Sequence, residues 1–216
     1  MRNDTRSRLI TLGGALPGEH IARLRDEHTP PAGFRRAAAA LATLVLAEAL
    51  RDLEPVEATV RTPLAEALTV RPARRVTLVP VLRAGLALME PALRLLPEAT
   101  RVGFLGMARD EVTLEPRFFM ERLPGDLGDD EVVVLDVMLA TGGSAVAAVD
   151  AVAAAGARRV RVVCLVAAPE GVRRLHDAHP EVPITVGALD ERLNDRGFIL
   201  PGLGDAGDRL YGEATG

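Results

Sequence analysis

One aspartate and the glycine loop after it are the residues of this chain whose types and spacing suggest chemistry. Asp136 follows the apolar run 132–135, and the loop 141–144, Thr-Gly-Gly-Ser, leads into an alanine-rich stretch typical of a helix. Glycines let the backbone approach a ligand closely, and N–H groups at a helix start, with hydroxyls beside them, bind phosphate. The pattern predicts a phosphate cradle. A tight turn with a Thr or Ser N-cap is the alternative for the loop, and a helix-capping role is the alternative for Asp136.

The chain contains no lysine, because all 26 of its basic residues are arginine. This excludes a P-loop, whose motif requires a lysine after its second glycine, and it excludes a Schiff-base lysine. The loop does not supply the G-x-G-x-x-G fingerprint of dinucleotide-binding folds either. Arginine side chains and backbone N–H groups are therefore expected to hold any phosphate.

Composition limits the classes of partner. The 216 residues carry a formal net charge of −4 and no run of basic residues, which disfavours bulk electrostatic binding to nucleic acid. The lone cysteine, Cys164, lies in an apolar run, so we expect a core residue and neither a disulfide nor a cysteine-based zinc site. The chain does not open with the apolar core of a signal peptide, and its most apolar segment, 37–50, is short and contains Glu48. We expect a cytoplasmic protein without a membrane helix.

Short apolar runs alternate with helix-like stretches from about residue 75 onward. Continuous Val, Leu and Ile runs bounded by loops are typical of strands buried on both faces, and the alternation indicates an α/β fold with a parallel sheet. In such sheets ligands bind beyond the carboxyl ends of the strands, which is where Asp136 lies. The predicted strands are 74–82, 100–107, 131–136, 158–168 and 182–190, and the predicted helices are 17–28, 32–53, 84–96, 143–155 and 170–178.

The whole chain, residues 1–216, is predicted to form a single domain. Within it we distinguish an N-terminal helical segment at 17–53, an arm at about 108–126 and a tail at about 194–213. The arm has a turn-like Leu-Glu-Pro at 114–116 between two β-prone stretches, which indicates a β-hairpin. The tail is rich in glycine and has little periodicity, so on composition alone it also fits a flexible end.

Several stretches carry a resemblance to a known family. "VLDVMLATGGSA" resembles the phosphoribosyl diphosphate loop of type I phosphoribosyltransferases, and "VPVLRAGL", "ALDERLN" and "GFILPGLGDAGDR" are similar to uracil phosphoribosyltransferases. The resemblance implies an α/β fold, namely the parallel-sheet type I phosphoribosyltransferase fold with a β-hairpin arm and N-terminal helices. It also implies a pentosyltransferase of pyrimidine salvage, which converts uracil and 5-phosphoribosyl 1-diphosphate to UMP and diphosphate.

The same resemblance implies a role for each matching residue. Arg83 and Arg109 would contact the diphosphate, Asp136 the ribose hydroxyls, and residues 140–144 the 5-phosphate, while the tail would read uracil. Asp136, Arg109 and Asp205 are the implied catalytic residues. The implied substrate-binding residues are Arg83, Arg109, Asp136, Val137, Met138, Leu139, Ala140, Thr141, Gly142, Gly143, Ser144, Ile199, Gly204, Asp205 and Ala206.

Cofactor and partners are also implied by the resemblance. Mg²⁺ would bind together with phosphoribosyl diphosphate and keep several waters, without a dedicated metal site in the protein. GTP is implied as an effector, although no separate nucleotide-binding motif is visible in the chain. A homodimer or a higher homo-oligomer is implied, in agreement with the wide apolar stripe of residues 37–50. Nucleic acid and membranes are not expected as partners.

Three departures from the family pattern keep other interpretations open. Val137 stands where the family usually has proline, Phe119-Met120 where the arm commonly carries tyrosine, and Phe198 where a tyrosine usually precedes Ile199. Since hydroxyl groups are lost near the implied site, a weakly catalytic or non-catalytic pyrimidine-nucleotide sensor or regulator on the same fold is the alternative function. A third interpretation is an enzyme on the same fold that uses a different base, but the intact "PGLGDAGDR" argues for uracil.

Overall fold

A mainly parallel sheet forms the centre of the structure, a computed structural model that describes residues 8–109 and 116–212. From edge to edge its strands run β1-β11-β10-β8-β4-β6-β7, with β5 beside β4 and β9 beside β10. All of these pairs are parallel except β6 with β7. The sheet strands are β1 (Leu9–Thr11), β4 (Val76–Leu82), β5 (Arg101–Val102), β6 (Phe104–Arg109), β7 (Pro116–Arg122), β8 (Glu131–Leu135), β9 (Met138–Leu139), β10 (Arg159–Ala167) and β11 (Ile184–Leu189).

Helices cover both faces of this sheet, and two small hairpins lie outside it. The helices are α1 (Ala15–Arg25), α2 (Pro31–Ala49), a 3₁₀ turn (Ala84–Leu88), α3 (Met89–Leu95), α4 (Gly143–Ala154), α5 (Pro169–Ala178) and α6 (Ala206–Tyr211). The hairpins are β2 (Pro55–Arg61) with β3 (Glu66–Pro72), and β12 (Arg192–Leu193) with β13 (Ile199–Leu200). Within the described ranges, no helix combines the length and the apolar character needed to cross a membrane.

The structure has three layers, with the sheet between two layers of helices, and the alternating direction of side chains along the central strands explains this arrangement. Val133 and Leu135 of β8 join the cluster that contains α1 and α2, whereas Val132 and Val134 join the cluster that contains α4 and α5. Successive side chains of a strand point to opposite faces, so a strand between two helical layers must be apolar at every position. This is why the central runs are rich in valine and leucine without a polar alternation.

The predicted fold class and all five predicted strands of the sheet are confirmed, but two helices end earlier than predicted. The first ends at Arg25 and not at residue 28, because the Asp26 carboxylate accepts a hydrogen bond from the His28 N–H at 2.9 Å and starts a turn. The second ends at Ala49 and not at residue 53, where the Arg161 guanidinium donates to the Ala49 carbonyl.

The hairpin arm is present, although it starts earlier than predicted. β6 and β7 pair from Phe104 with Arg122 to Arg109 with Pro116, so the arm includes most of the run predicted as a separate strand. Residues 110–115, with most of the predicted turn at 114–116, lie outside the described residues. The hairpin of β2 and β3 was not predicted, because its strands mix polar and apolar residues and form no continuous apolar run like those of the central strands.

A buried carboxylate joins the amino ends of the strands. Asp130, which precedes β8 and is 1% exposed, accepts hydrogen bonds from Thr77 Oγ1, Arg75 Nε (3.2 Å) and Arg101 Nε (3.1 Å). Burial by itself would raise the pKa of Asp130, but these hydrogen bonds outweigh it and the pKa is lowered. The network fixes β4, β5 and β8 against one another at the end of the sheet opposite Asp136.

Replacing Asp130 with asparagine should destabilise the fold in a pH-dependent way. We expect Asp130→Asn to lower the free energy of unfolding at pH 7 by about 2–4 kcal/mol, because the arginines lose their buried partner. Since the folded-state pKa of Asp130 is depressed, its stabilisation is present above the ordinary pKa of an aspartate and is lost as the pH falls below it. Denaturant unfolding at pH 7 and pH 3.5 checks this: the deficit should shrink at pH 3.5, and an equal deficit would contradict a role of the charge.

Candidate functional site

The candidate site lies at the carboxyl edge of the sheet, where three neighbouring strands end. Asp136 follows β8, Arg83 follows β4 and a cis peptide bond, and the loop of residues 137–142 follows Asp136 into α4. β10 lies beside β8, and the Asp136 N–H donates to the Val163 carbonyl of β10 at 3.1 Å. Ligands of open α/β sheets bind at this kind of edge, so the sequence placed Asp136 correctly.

The glycine loop forms a cradle at the start of α4. Gly142 is the N-cap with φ of 82°, and the first helical hydrogen bond runs from the Val146 N–H to its carbonyl at 2.9 Å. The N–H groups of the first helical turn have no carbonyl partner within the helix and face the helix start. Asp136, the loop and the first residues of α4 line a cavity of about 170 Å³. This cavity has the size and the donors for one phosphate group.

The loop is pressed against the start of α5. A Cβ atom on Gly142 would lie 2.8 Å from the Gly171 carbonyl oxygen, and a Cβ atom on Gly171 would lie 2.3 Å from the Ala140 carbonyl oxygen. Only glycine permits these approaches of backbone to backbone. The predicted alternative of a Thr or Ser N-cap is wrong, because Gly142 occupies the N-cap position of α4 and no side chain caps the helix.

Asp136 is held by the backbone of its own loop. Its Oδ1 accepts a hydrogen bond from the Val137 N–H at 2.7 Å, so the alternative that it caps a nearby helix is not what the structure shows. Burial raises the pKa of Asp136 to about 7, although the hydrogen bonds from the Val137 and Met138 N–H groups oppose this. Because few groups of the protein donate hydrogen bonds to this half-buried carboxylate, its oxygens can still accept hydrogen bonds from hydroxyl groups of a ligand.

Val137 uses the N–H that a proline would lack. That N–H is the donor to Asp136, and the Val137 carbonyl accepts from the N–H groups of Leu165 (3.0 Å) and Val166 (3.1 Å) of β10. The Val137 side chain is fully buried in the core. The departure from the family pattern therefore fits the fold without leaving the loop unanchored, and it gives the Asp136 carboxylate one additional hydrogen bond.

Arg83 extends from the turn after β4 toward the tail. Its Nη2 lies 3.8 Å from Asp208 Oδ1, and both side chains are about half exposed. The turn itself touches the residue before Asp136, because a Cβ atom on Gly85 would lie 2.3 Å from the Leu135 carbonyl oxygen. The structure thus brings the Arg83 turn, Asp136 and the tail to one edge. Arg109 is the last residue of β6, and its side chain lies outside the described part of the chain.

The tail is ordered by turns and by a short helix rather than being a flexible end. The Asp205 carboxylate accepts from the Asp208 N–H at 3.0 Å and caps α6. The side chains of Ile199 and Ala206 are buried in the core, so only their backbone groups could face a ligand. Gly204 is exposed between them. Backbone N–H and C=O groups with fixed positions suit a planar base that presents alternating donors and acceptors.

Sequence reasoning missed a buried carboxylate beneath this tail. Asp190, 7% exposed at the end of β11, pairs with Arg25 of α1. Its motif, "ALDERLN", was part of the family resemblance, but nothing in the spacing of the letters places it against α1. Among the described residues, no three His, Cys, Asp or Glu side chains are grouped so that they could hold a metal ion.

Comparisons with known proteins identify relatives of this chain. The family model described as "Uracil phosphoribosyltransferase" matches residues 17–213. Curated proteins named uracil phosphoribosyltransferase include one from Symbiobacterium thermophilum, 46% identical over 95% of this chain and 99% of its own length, and one from Roseiflexus castenholzii, 51% identical over 89% and 92%.

Solved structures show the same fold. The AQ2163 protein from Aquifex aeolicus has a TM-score of 0.90 at 39% identity and covers 96% of this chain and 100% of its own. A hypoxanthine-guanine phosphoribosyltransferase from Bacillus anthracis has a TM-score of 0.52 at 14% identity over 74% and 80% of the two chains, which supports the fold alone. The family match over residues 17–213 and the identities above show that the chain belongs to the uracil phosphoribosyltransferase family.

Proposed function

We propose that this chain transfers the 5-phosphoribosyl group of 5-phosphoribosyl 1-diphosphate to N1 of uracil in the cytoplasm, giving UMP and diphosphate for pyrimidine salvage. The observation that carries the proposal is the placement of a carboxylate, Asp136, between a phosphate cradle and an arginine-bearing turn at one edge of the sheet. The donor has one phosphate at C5 and a diphosphate at C1, and the site offers a separate anion-binding element for each. The comparisons support the enzyme and do not favour the nucleotide-sensor alternative.

The donor would lie across the carboxyl edge of the sheet. Backbone N–H groups of residues 140–144 and the hydroxyls of Thr141 and Ser144 would bind the 5-phosphate, aided by the dipole of α4. Asp136 would accept hydrogen bonds from the ribose hydroxyls. Arg83 would contact the diphosphate, with Arg109 as the second arginine from the arm. Guanidinium groups stabilise the charge that builds on this leaving group as its bond to C1 breaks.

The base would bind at the tail through backbone groups. Ile199, Gly204 and Ala206 would place N–H and C=O groups opposite the carbonyl oxygens and N3–H of uracil, with Asp205 beside them. Cytosine reverses the hydrogen-bonding group at position 4 and would leave a buried partner unpaired, which polar sites reject strongly. The reaction needs no covalent nucleophile: positioning of N1 against C1 and electrostatic stabilisation are its main resources.

Mg²⁺ is proposed to accompany the donor. A hard cation of this kind binds phosphate oxygens, keeps several waters and needs few protein ligands. The carboxylate of Asp205 and the guanidinium of Arg83 both approach Gly207, since a Cβ atom there would lie 3.2 Å from Asp205 Oδ1 and 3.6 Å from Arg83 Nη2. Mg²⁺ would neutralise part of the diphosphate charge, and Asp205 would lie near the donor.

Formation of UMP tests the proposed function. The purified chain is incubated with uracil, phosphoribosyl diphosphate and Mg²⁺, with cytosine, adenine and hypoxanthine as control bases, and each mixture is assayed with and without GTP. We expect product from uracil alone, and a GTP-dependent rate would support GTP as the effector. Product from another base, or donor binding without any product, would contradict the proposal.

Asp136 should make donor use dependent on pH. The ionised carboxylate accepts hydrogen bonds from the ribose hydroxyls more strongly than the protonated acid does, so with a pKa raised to about 7 we expect kcat/KM for the donor to fall as the pH drops below 7. We expect Asp136→Asn to lower this kcat/KM by about 100-fold at pH 8 and to remove its pH dependence near 7. Asp177→Asn, the same change on the exposed surface of α5, is the matched control. Unaltered turnover by Asp136→Asn would show that the residue does not bind the ribose.

The same variant should be more stable than the wild-type chain. Because burial raises the folded-state pKa of Asp136, the neutral form stabilises the fold at low pH, and this contribution is lost as the pH rises through about 7. We expect Asp136→Asn to raise the melting temperature more at pH 8 than at pH 5, which calorimetry of both proteins measures. A melting temperature that drops equally at both pH values would mean that the carboxylate is structural.

We propose a homo-oligomer, with the hairpin of β2 and β3 as a contact between copies. The two strands pack on each other and hardly on the rest of the structure, yet the hairpin exposes large apolar side chains. Leu64 at its turn is 97% exposed and Leu68 is 83% exposed. Two-stranded hairpins are marginally stable alone, and exposed apolar strands invite association. A second copy of the chain is the occupant that we propose for this surface.

Light scattering of the intact chain tests the oligomer. We expect at least twice the mass of one chain for the wild type, and a dissociation constant about ten-fold higher or more for Leu68→Glu, because it places a charge in the buried contact. Leu16→Glu, the same change at an exposed leucine of α1, is the control and should leave the mass unchanged. A monomeric wild-type chain would refute the oligomer, and equal effects of both changes would refute the hairpin contact.

A further inference from the structure

Arginine side chains fasten the end of the tail to the N-terminal helices. Arg209 donates to the Asp26 carbonyl at 2.6 Å after the end of α1, and its guanidinium lies 4.4 Å from the centroid of the Phe34 ring of α2. Arg35 of α2 donates to the Leu210 carbonyl at 2.7 Å. These contacts hold α6, which follows the segment 199–206 proposed to read the base. They do not fix the start of that segment.

The start of the segment is fixed by the buried ion pair of Arg25 and Asp190. The Arg25 guanidinium is bidentate, with Nη2 on Asp190 Oδ1 and Nη1 on Asp190 Oδ2 at 3.2 Å. The Asp190 side chain is 2% exposed and that of Arg25 is 27% exposed, so the pair is shielded from solvent. Both side chains also contact the backbone of Gly202. Asp190 Oδ2 accepts a hydrogen bond from the Gly202 N–H at 2.8 Å, and Arg25 Nη1 lies 3.5 Å from the Gly202 carbonyl oxygen.

Asp190 connects the sheet to the tail. Its backbone N–H donates to the Ala167 carbonyl at the end of β10 with a distance of 2.8 Å, so the residue is fixed to the carboxyl edge that also carries Asp136. At the other end, Gly202 adopts φ of 64°, and a Cβ atom there would lie 2.1 Å from the Ile199 carbonyl oxygen. The turn from residue 199 to residue 202 is therefore tight, and the hydrogen bond to Asp190 holds it at a defined distance from the sheet.

We propose that Arg25 and Asp190 are positioning residues for base recognition, which hold the backbone of Gly202 so that the segment 199–206 presents its N–H and C=O groups in the geometry that binds uracil. The inference rests on the proposed function, because it assigns base recognition to this segment. Since the side chains of Ile199 and Ala206 are buried, selectivity depends on backbone position, and backbone position depends on what anchors it. Neither residue contacts the phosphate cradle, so donor binding should not depend on the pair.

Steady-state kinetics with both substrates, together with melting temperatures, tests the pair in the intact protein. We expect Asp190→Ala and Arg25→Ala to raise KM for uracil by about ten-fold or more, which corresponds to about 1.4 kcal/mol, and to leave KM for the donor within about two-fold. Arg25→Lys keeps the positive charge and should recover part of the uracil affinity. Arg23→Ala removes the same charge from the same helix, two residues earlier, where Arg23 pairs with Glu19 at 2.9 Å, and should have no effect.

The two hypotheses fail in different ways. If the wild-type chain forms no UMP, the proposed function is wrong and the inference falls with it. If the wild-type chain is active but the Arg25 and Asp190 variants raise both KM values equally, the pair only stabilises the fold and the inference alone is wrong. A double variant, Arg25→Ala with Asp190→Ala, provides a further test if the single variants are of low stability. Its KM for uracil should be no higher than that of either single variant, because the two residues act as one unit. Additive effects of the two changes on this KM would contradict the pair.

Discussion

Direct packing of backbone on backbone at the carboxyl edge of the sheet is the constraint on which the site depends. Gly142 lies against Gly171, and Gly85 lies against the carbonyl of Leu135, in each case closer than any side chain would permit. These approaches bring the phosphate cradle, the Arg83 turn and Asp136 within one small region. A larger residue at any of these glycines would push these elements apart, so the spacing at this edge is set by the absence of side chains.

Two buried or half-buried carboxylates lie at opposite ends of β8, and their surroundings differ. Asp130, at the amino ends of the strands, is buried with two arginines and a threonine and is held ionised. Asp136, at the carboxyl ends, accepts hydrogen bonds from N–H groups of its own loop, and burial raises its pKa. The first carboxylate stabilises the fold because its partners are already present. The second keeps unused acceptor capacity at the cost of folding energy, as residues proposed for binding often do.

Much of the architecture follows from the sequence alone. Uninterrupted valine and leucine runs between helix-like stretches indicated a parallel sheet, and the five runs became its central strands because burial on both faces demands that pattern. The helix ends were less predictable, since Asp26 and Arg161 end two helices through hydrogen bonds that require a particular geometry. The hairpin of residues 55–72 was missed because it lies outside the central sheet, so its strands lack the continuous apolar run that burial on both faces produces.

Some features of the candidate site likewise follow from the sequence, and others depend on the tertiary structure. The sequence by itself determined that a carboxylate ends a strand, that a glycine loop opens the next helix, and that any anion must be held by arginine and backbone, because these are local properties of residue type and order. Only the tertiary structure decided that Arg83 reaches the tail and that Asp190 is paired with Arg25, 165 positions away in the chain. Contacts between distant segments depend on how whole elements pack, and no local pattern of residues encodes that distance.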